Sequence, residues 1–248
     1  PIDVCTNLDL ELHPEILPQY RLVLSVGHDE YWSAGMRDSL ETFIANGGNA
    51  AFFSGNTCCW QVRVEDAGRA LVCYKRVHEA DPVFKNPDRR RLTTLWSDPL
   101  LQRPENVLTG VGFTYGGYNG VYGSYVAGPG EGEYTVHRPD HWLLACTGLQ
   151  RGQKFGQEAS IAGYEMDGCE MVFKDGVPYP TGRDGTPKDF EIVATAPGRW
   201  GLFDSSLTWA KEIRQALPRE PGQEVPENFV DLEGVGVLGA YTRGGTVV

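Results

Sequence analysis

Three ionisable side chains stand in a row at His28, Asp29 and Glu30, and a carboxamide follows at Asn56. In extended backbone, successive side chains point to opposite faces, so His28 and Glu30 share one side and Asp29 takes the other. That pairing brings an imidazole to a carboxylate. Such a pair can move protons or hold a metal ion. A plainer role is open to the same residues. Acids near a helix N-terminus favour its dipole, and a histidine can simply fill a gap.

These side chains need a frame to hold them. Arg21 to Val26 is a short apolar run with β-branched residues between a proline and a glycine, which predicts a strand buried on both faces. Ser33 is placed to cap a helix, and Met36, Leu40, Phe43 and Ile44 give that helix one apolar face. Asn46, Gly47 and Gly48 stop it. Asn49 to Ser54 is a second apolar run. Strand, helix and strand in this spacing predict a βαβ unit with parallel strands and a right-handed crossover. His28, Asp29 and Glu30 then follow the first strand and Asn56 the second, at the strand ends where open α/β sheets bind ligands.

The stretch Gly27-His28-Asp29-Glu30-Tyr31-Trp32-Ser33 is long and specific, and it is followed by Gly47-Gly48-Asn49, Phe53-Ser54-Gly55-Asn56 and Trp60. Together these resemble the C-terminal domain of the large (beta) subunit of N,N-dimethylformamidase and its relatives. That family is similar in fold to class I glutamine amidotransferases. The resemblance implies a mononuclear ferric iron amide hydrolase. By position it makes Glu30 an iron ligand, His28 a catalytic-site histidine and Asn56 a substrate-side asparagine. It also assigns an active-site acid after an Ala-Gly pair, which here is Glu165 after Ala162-Gly163; without the resemblance, Glu165 reads equally well as a hairpin acid beside Asp167-Gly168. The family's two tyrosine ligands lie upstream of the motif strand, and no tyrosine precedes Tyr20. With one matched ligand, the chain is expected to hold iron weakly or not at all.

Composition narrows the partners. A net charge of −11 over 248 residues argues against nucleic acid and against an anionic membrane surface. No apolar run approaches the length of a membrane span, and no signal peptide opens the chain. The six cysteines include no Cys-x-x-Cys pair, so they read as small apolar residues of a reducing compartment, which favours the cytoplasm. No Gly-x-Cys or Gly-x-Ser nucleophile elbow occupies the place of Gly27-His28-Asp29, which counts against a covalent amidotransferase route.

The rest of the chain gives coarser signals. Residues 1 to 20, with Leu8, Leu10 and Leu12 alternating with acids, predict an incoming strand and loop. Glycine-interrupted strands with Tyr115, Tyr118 and Tyr122 predict a β-rich insertion over roughly residues 67 to 150. Phe190 to Ala196 predicts a strand, and Leu207 to Leu217 a short helix capped by Ser205 or Ser206. Pro218 to Asn228 predicts a loop, and Val235 onward a closing strand pair. The whole is expected to form one amidotransferase-like domain over 1–248, cut at both ends. Its expected architecture is a three-layer α/β fold with a mostly parallel sheet. The expected activity is hydrolysis of a small amide. A metal-free hydrolase using His28 with Glu30 or Glu165, and a non-catalytic binding domain, are the alternatives. A homo-oligomer or a small partner subunit stays open.

Overall fold

Thr6 sets the first element. Its backbone N–H donates to the Asp9 carboxylate at 2.7 Å, and its hydroxyl accepts from Asp9 N, a capping box that starts helix α1, Asn7–Leu12. A 3₁₀ turn, Pro14–Gln19, follows. The strand expected within residues 1–20 is therefore a capped helix with Leu10 buried. The computed structural model describes residues 2–122, 125–126, 130–200, 204–216, 233–243 and 246–247. The predicted Pro218–Asn228 loop and the side chains of Ser205 and Ser206 lie outside the description.

The βαβ unit forms as the spacing predicts. Strand β1, Leu22–Val26, leads through β2, Tyr31–Ser33, into helix α2, Ala34–Ala45, and back to β3, Asn49–Phe53. Strands β1 and β3 are parallel, in register from Leu22 beside Asn49 to Val26 beside Phe53. The Ser33 hydroxyl caps α2 by accepting from Met36 N at 3.1 Å, and itself donates to the Glu11 carboxylate. At the other end Asn46 is the C-cap, and Gly47 takes φ 94°, a left-handed conformation that costs glycine little.

Helix α2 ties this unit to the rest of the molecule. Met36, Leu40, Phe43 and Ile44 are buried in one core with Trp32, Trp96, Leu108, Phe190 and Ile192. Burying each large aliphatic side chain contributes about 1.5–3 kcal/mol. Arg37, also buried, donates to the carbonyls of Arg103 and Pro104 at 2.7 and 2.8 Å and lies over the Trp96 ring. Its Nε also donates to the Glu41 carboxylate at 2.8 Å, so the buried charge is both paired and hydrogen-bonded, as burial requires.

Beyond α2 the architecture departs from the expected one. Strand β4, Trp60–Glu65, pairs parallel with β2 and antiparallel with β5, Ala70–Val72. After a loop-rich stretch and the short helix α3, Asn106–Thr109, come β6, Gly112–Asn119, the small hairpin of β7, Val121–Tyr122, with β8, Tyr125–Val126, then β9, Tyr134–Val136, β10, Lys154–Phe155, and β11, Tyr164–Gly168. A hairpin of β12, Met171–Lys174, with β13, Val177–Pro180, precedes β14, Glu191–Arg199. Helix α4, Asp204–Ala216, strand β15, Glu233–Ala240, and the pair β16, Thr242–Arg243, with β17, Thr246–Val247, complete the described elements.

The largest sheet has six strands in the order β10-β9-β14-β6-β11, with β15 also on β14, and every pairing in it is antiparallel. The three-layer, mostly parallel α/β fold is therefore not what the described residues build. Among the described residues only β1 with β3 and β2 with β4 are parallel. The reason is in the connections. A parallel neighbour needs a crossover of a dozen or more residues, usually helical. After α2 the chain between sheet strands runs mostly in turns and short 3₁₀ segments, so the strands return beside one another in opposite senses.

One local expectation also fails. Strand β1 is not buried on both faces: Leu22, Leu24 and Val26 are 47, 51 and 71% exposed. Among the described residues β1 pairs only with β3, and Leu22 and Leu24 line an open cavity of about 1070 Å³ in place of a packed layer. An apolar run reports a tendency to be covered, and nothing in it says whether a layer is present. Among the described residues no helix is long and apolar enough to cross a membrane.

Candidate functional site

The turn after β1 sorts its three ionisable residues as alternation predicts. Asp29 faces inward, where its carboxylate accepts from Ser25 Oγ, Trp32 Nε1 and Asn7 Nδ2. It braces the turn against α1 and β2. His28 and Glu30 turn the other way, with His28 Nε2 at 2.9 Å from Glu30 Oε2. Helix capping belongs to Ser33, so neither acid is needed for it.

Two long-range partners complete the group. Glu165 of β11 brings Oε2 to 3.8 Å from His28 Nδ1, within ion-pair range and too long for a hydrogen bond. Asn56, in the turn after β3, donates from Nδ2 to Glu165 Oε1 at 3.4 Å. The structure thus brings together all four residues singled out in the sequence: His28, Glu30, Asn56 and Glu165. The imidazole stands between two carboxylates. Its side chain is 59% exposed while those of Glu30 and Glu165 are 12 and 16% exposed, so the histidine is the member that meets solvent.

Electrostatics follow from that enclosure. Burial pushes the Glu165 carboxyl above its usual range, and the Glu30 carboxylate adds to the shift, while His28 and the Asn56 amide oppose it. A carboxyl raised in this way can carry a proton closer to neutral pH. Asn56 Oδ1 is buried and has no hydrogen-bond partner within the protein. Since acceptor-only Glu165 takes Nδ2, the amide oxygen is the atom left to receive a donor.

Glu30, Asn56 and Glu165 open on a cavity of about 500 Å³ whose other walls include Cys59, Trp60, Phe113, Tyr118 and Lys75. Three of these wall residues shape the local electrostatics, and of them only Lys75 is not singled out in the sequence. Tyr118 stacks on Tyr164 at 5.7 Å, and burial, followed by the nearby Glu165, raises its phenol well above the usual value. Lys75, at φ 51°, places Nζ 4.8 Å above the Tyr31 ring and 2.6 Å from the Tyr31 hydroxyl. Burial alone would lower the Lys75 pKa, but Tyr31 and Glu30 outweigh it and raise the value. Cys59 is fully buried and its thiol is pushed far up, which keeps it from acting as a thiolate.

Asp167, like Lys75, is a site residue that the sequence does not single out. It lies two positions along β11 from Glu165, and its carboxylate accepts from Asn56 N and Thr57 N, both at 2.9 Å. Burial pushes this carboxyl up to about 7 against the pull of those two N–H groups. A short acidic motif, Glu165-Met166-Asp167, was the available signal, and it reads as an ordinary hairpin end.

As a metal centre the group is incomplete on its own donors. Among the described residues no three or more His, Cys, Asp or Glu side chains cluster so as to hold a metal ion. His28 Nε2 is already taken by Glu30, and ferric iron calls for several hard oxygen donors. The residues present do not by themselves make an iron site.

No curated protein matches this sequence. A family model described as N,N-dimethylformamidase beta subunit-like, C-terminal, matches residues 1–226, a span that contains His28, Glu30, Asn56, Glu165 and Asp167. This chain belongs to the N,N-dimethylformamidase beta subunit-like, C-terminal family.

Proposed function

We propose that this chain hydrolyses a small amide, with His28, Glu30, Asn56 and Glu165 as the working group. The observation that carries the reading is the shared cavity: the carboxylates of Glu30 and Glu165, with Asn56 beside them, line one space walled by aromatic rings. Family membership supports amide hydrolysis at the same coarse level.

The chemistry needs two proton movements. Water must lose a proton as its oxygen bonds to the amide carbonyl carbon, and the leaving nitrogen must gain one as the C–N bond breaks. In this reading the His28–Glu30 pair takes the proton from water, because the imidazole meets solvent and its other side is oriented by a carboxylate. Glu165, raised toward neutrality, delivers a proton to the departing nitrogen. Asn56 steadies Glu165 through Nδ2 at the cavity wall and orients substrate there, and Trp60, Phe113 and Tyr118 enclose the apolar substituents. The products are a carboxylic acid and an amine.

The test is an assay of amine and formate release from N,N-dimethylformamide and from formamide, run with and without added ferric iron. We expect release by the unaltered chain and a loss of roughly 10²–10⁴-fold in His28→Ala. Glu30→Gln keeps the shape and removes the charge, and should lose comparably. No release under any condition, or full rates in both variants, overturns the reading. Elemental analysis of the chain purified without added metal should find iron well short of stoichiometric.

A further inference from the structure

We propose that Asp167 is a positioning residue that sets the direction of the Asn56 side chain. The inference rests on the amide-hydrolase reading of the site and adds a residue to it. Asp167 and Glu165 are two apart on β11, so they project from the same face of the strand, toward the turn that follows β3. Strand β11 therefore supplies both the acid that faces the cavity and the anchor for the residue opposite it.

The turn needs an anchor. Asn56 and Cys58 both sit at positive φ, 60° and 53°, a region that a non-glycine residue occupies at a cost. Such a conformation persists only where its surroundings hold it. Asp167 does so from both sides, with Oδ1 on Asn56 N and Oδ2 on Thr57 N. A carboxylate is an acceptor at both oxygens, so each of the two N–H groups meets an oxygen of its own. Asparagine at 167 would turn an NH₂ group toward one of them.

Close approach of the two backbones makes the clamp rigid. A methyl group on Gly55 would come within 2.0 Å of the Glu165 carbonyl oxygen, so the turn lies directly on β11. With the backbone fixed at 55–57, Asn56 Nδ2 reaches Glu165 and Oδ1 is left without a partner. Asp167, 6% exposed, is not in the wall of the cavity that Glu30, Asn56 and Glu165 share; it lies with His28, Thr57 and Glu165 on a second cavity of about 1070 Å³, and it reaches the first through the backbone of Asn56. An aspartate kept buried beside Glu165 is a charge retained at a cost in stability, which fits a residue held for position.

The test has two arms. Hydrogen–deuterium exchange reads the clamp without any need for catalysis. In the unaltered chain the amides of Asn56 and Thr57 should be as protected as those of β3 and β11. In Asp167→Asn the one that meets the new NH₂ group should exchange freely while β3 and β11 keep their protection. The kinetic arm uses N,N-dimethylformamide. Asp167→Asn should lower kcat by roughly 10–100-fold with little change in KM. In an Asn56→Ala background the same change should add no more than about twofold, since a residue acting through another is not additive with it. Fast exchange at Asn56 and Thr57 in the unaltered chain overturns the proposal, and this result stands even if Asp167→Asn does not fold. So does full multiplication of the two kinetic losses. If no amide is hydrolysed at all, the exchange arm still decides the clamp while the amide-hydrolase reading fails separately.

Discussion

Glu165→Gln is expected to lower amide turnover by roughly 10²–10⁴-fold while leaving the thermal midpoint unchanged or higher. The two effects diverge for a physical reason. Burial and the Glu30 carboxylate raise the Glu165 pKa in the folded chain. A group with a raised folded value contributes stability below its unfolded pKa, and that contribution is lost as pH rises through the folded value. At neutral pH the Glu165 charge therefore works against folding, and glutamine removes that cost. Glutamine also keeps an oxygen to accept from Asn56 Nδ2. Turnover and calorimetry on the same sample make the comparison. A fall in midpoint that tracks the lost activity would show Glu165 to be a prop for the β11 end and would remove it from the reaction.

Asp81→Asn is expected to cost about 3–5 kcal/mol of unfolding free energy, the largest structural effect anticipated for a single substitution here. Asp81 accepts from Arg63 Nη1 at 3.1 and 2.9 Å, from Val83 N and Thr93 N at 3.0 Å each, and from Thr93 Oγ1 at 2.7 Å. Burial would raise this carboxyl, but those donors outweigh it and hold the pKa at about 2. The folded value is depressed, so the stabilisation is present above the unfolded value of about 3.9 and is lost as pH falls toward about 2. Asparagine leaves Arg63 buried and less well countered. Urea melts at neutral pH should show the loss, and acid melts should show a shallower pH dependence in the variant between those two values. Equal stability at neutral pH would mean that Glu65, at 2.7 Å from Arg63 Nε, carries the ion pair alone.

The parts of this molecule that sequence discloses are the local ones. Met36, Leu40, Phe43 and Ile44 fix α2 by periodicity, and the turn that His28 and Glu30 occupy follows from one βαβ unit. Phe190 to Ala196 gave strand β14 for the same reason. Asp167 and Lys75 were out of reach because what they do depends on contacts made across the fold: Asp167 meets a turn 111 residues away, and Lys75 meets Tyr31 44 residues away. The N-terminal helix was misread through a real ambiguity. Leu8, Leu10 and Leu12 have a period of two, yet Thr6 and Asp9 three residues apart are a capping pair, and the hydrogen bonds of the cap decided the outcome. The sheet was misread by extension, since one parallel pair at β1 and β3 was taken as the pattern for the remainder. Glycine-rich strands such as β6 pair wherever tight turns return them, and period alone carries no sense of direction.

The outer face of β1 has a consequence for how the chain behaves in bulk. Leu22, Leu24, Val26 and Phe53 present apolar surface on a two-stranded sheet whose edges, among the described residues, find no further strand. An edge of that kind is a template for another chain. The net charge of −11 opposes that approach by a long-range repulsion that dilute buffer preserves and added salt screens over about 10 Å at 0.1 M. Self-association of this chain is therefore expected to rise with ionic strength, read as light scattering that grows as salt is added.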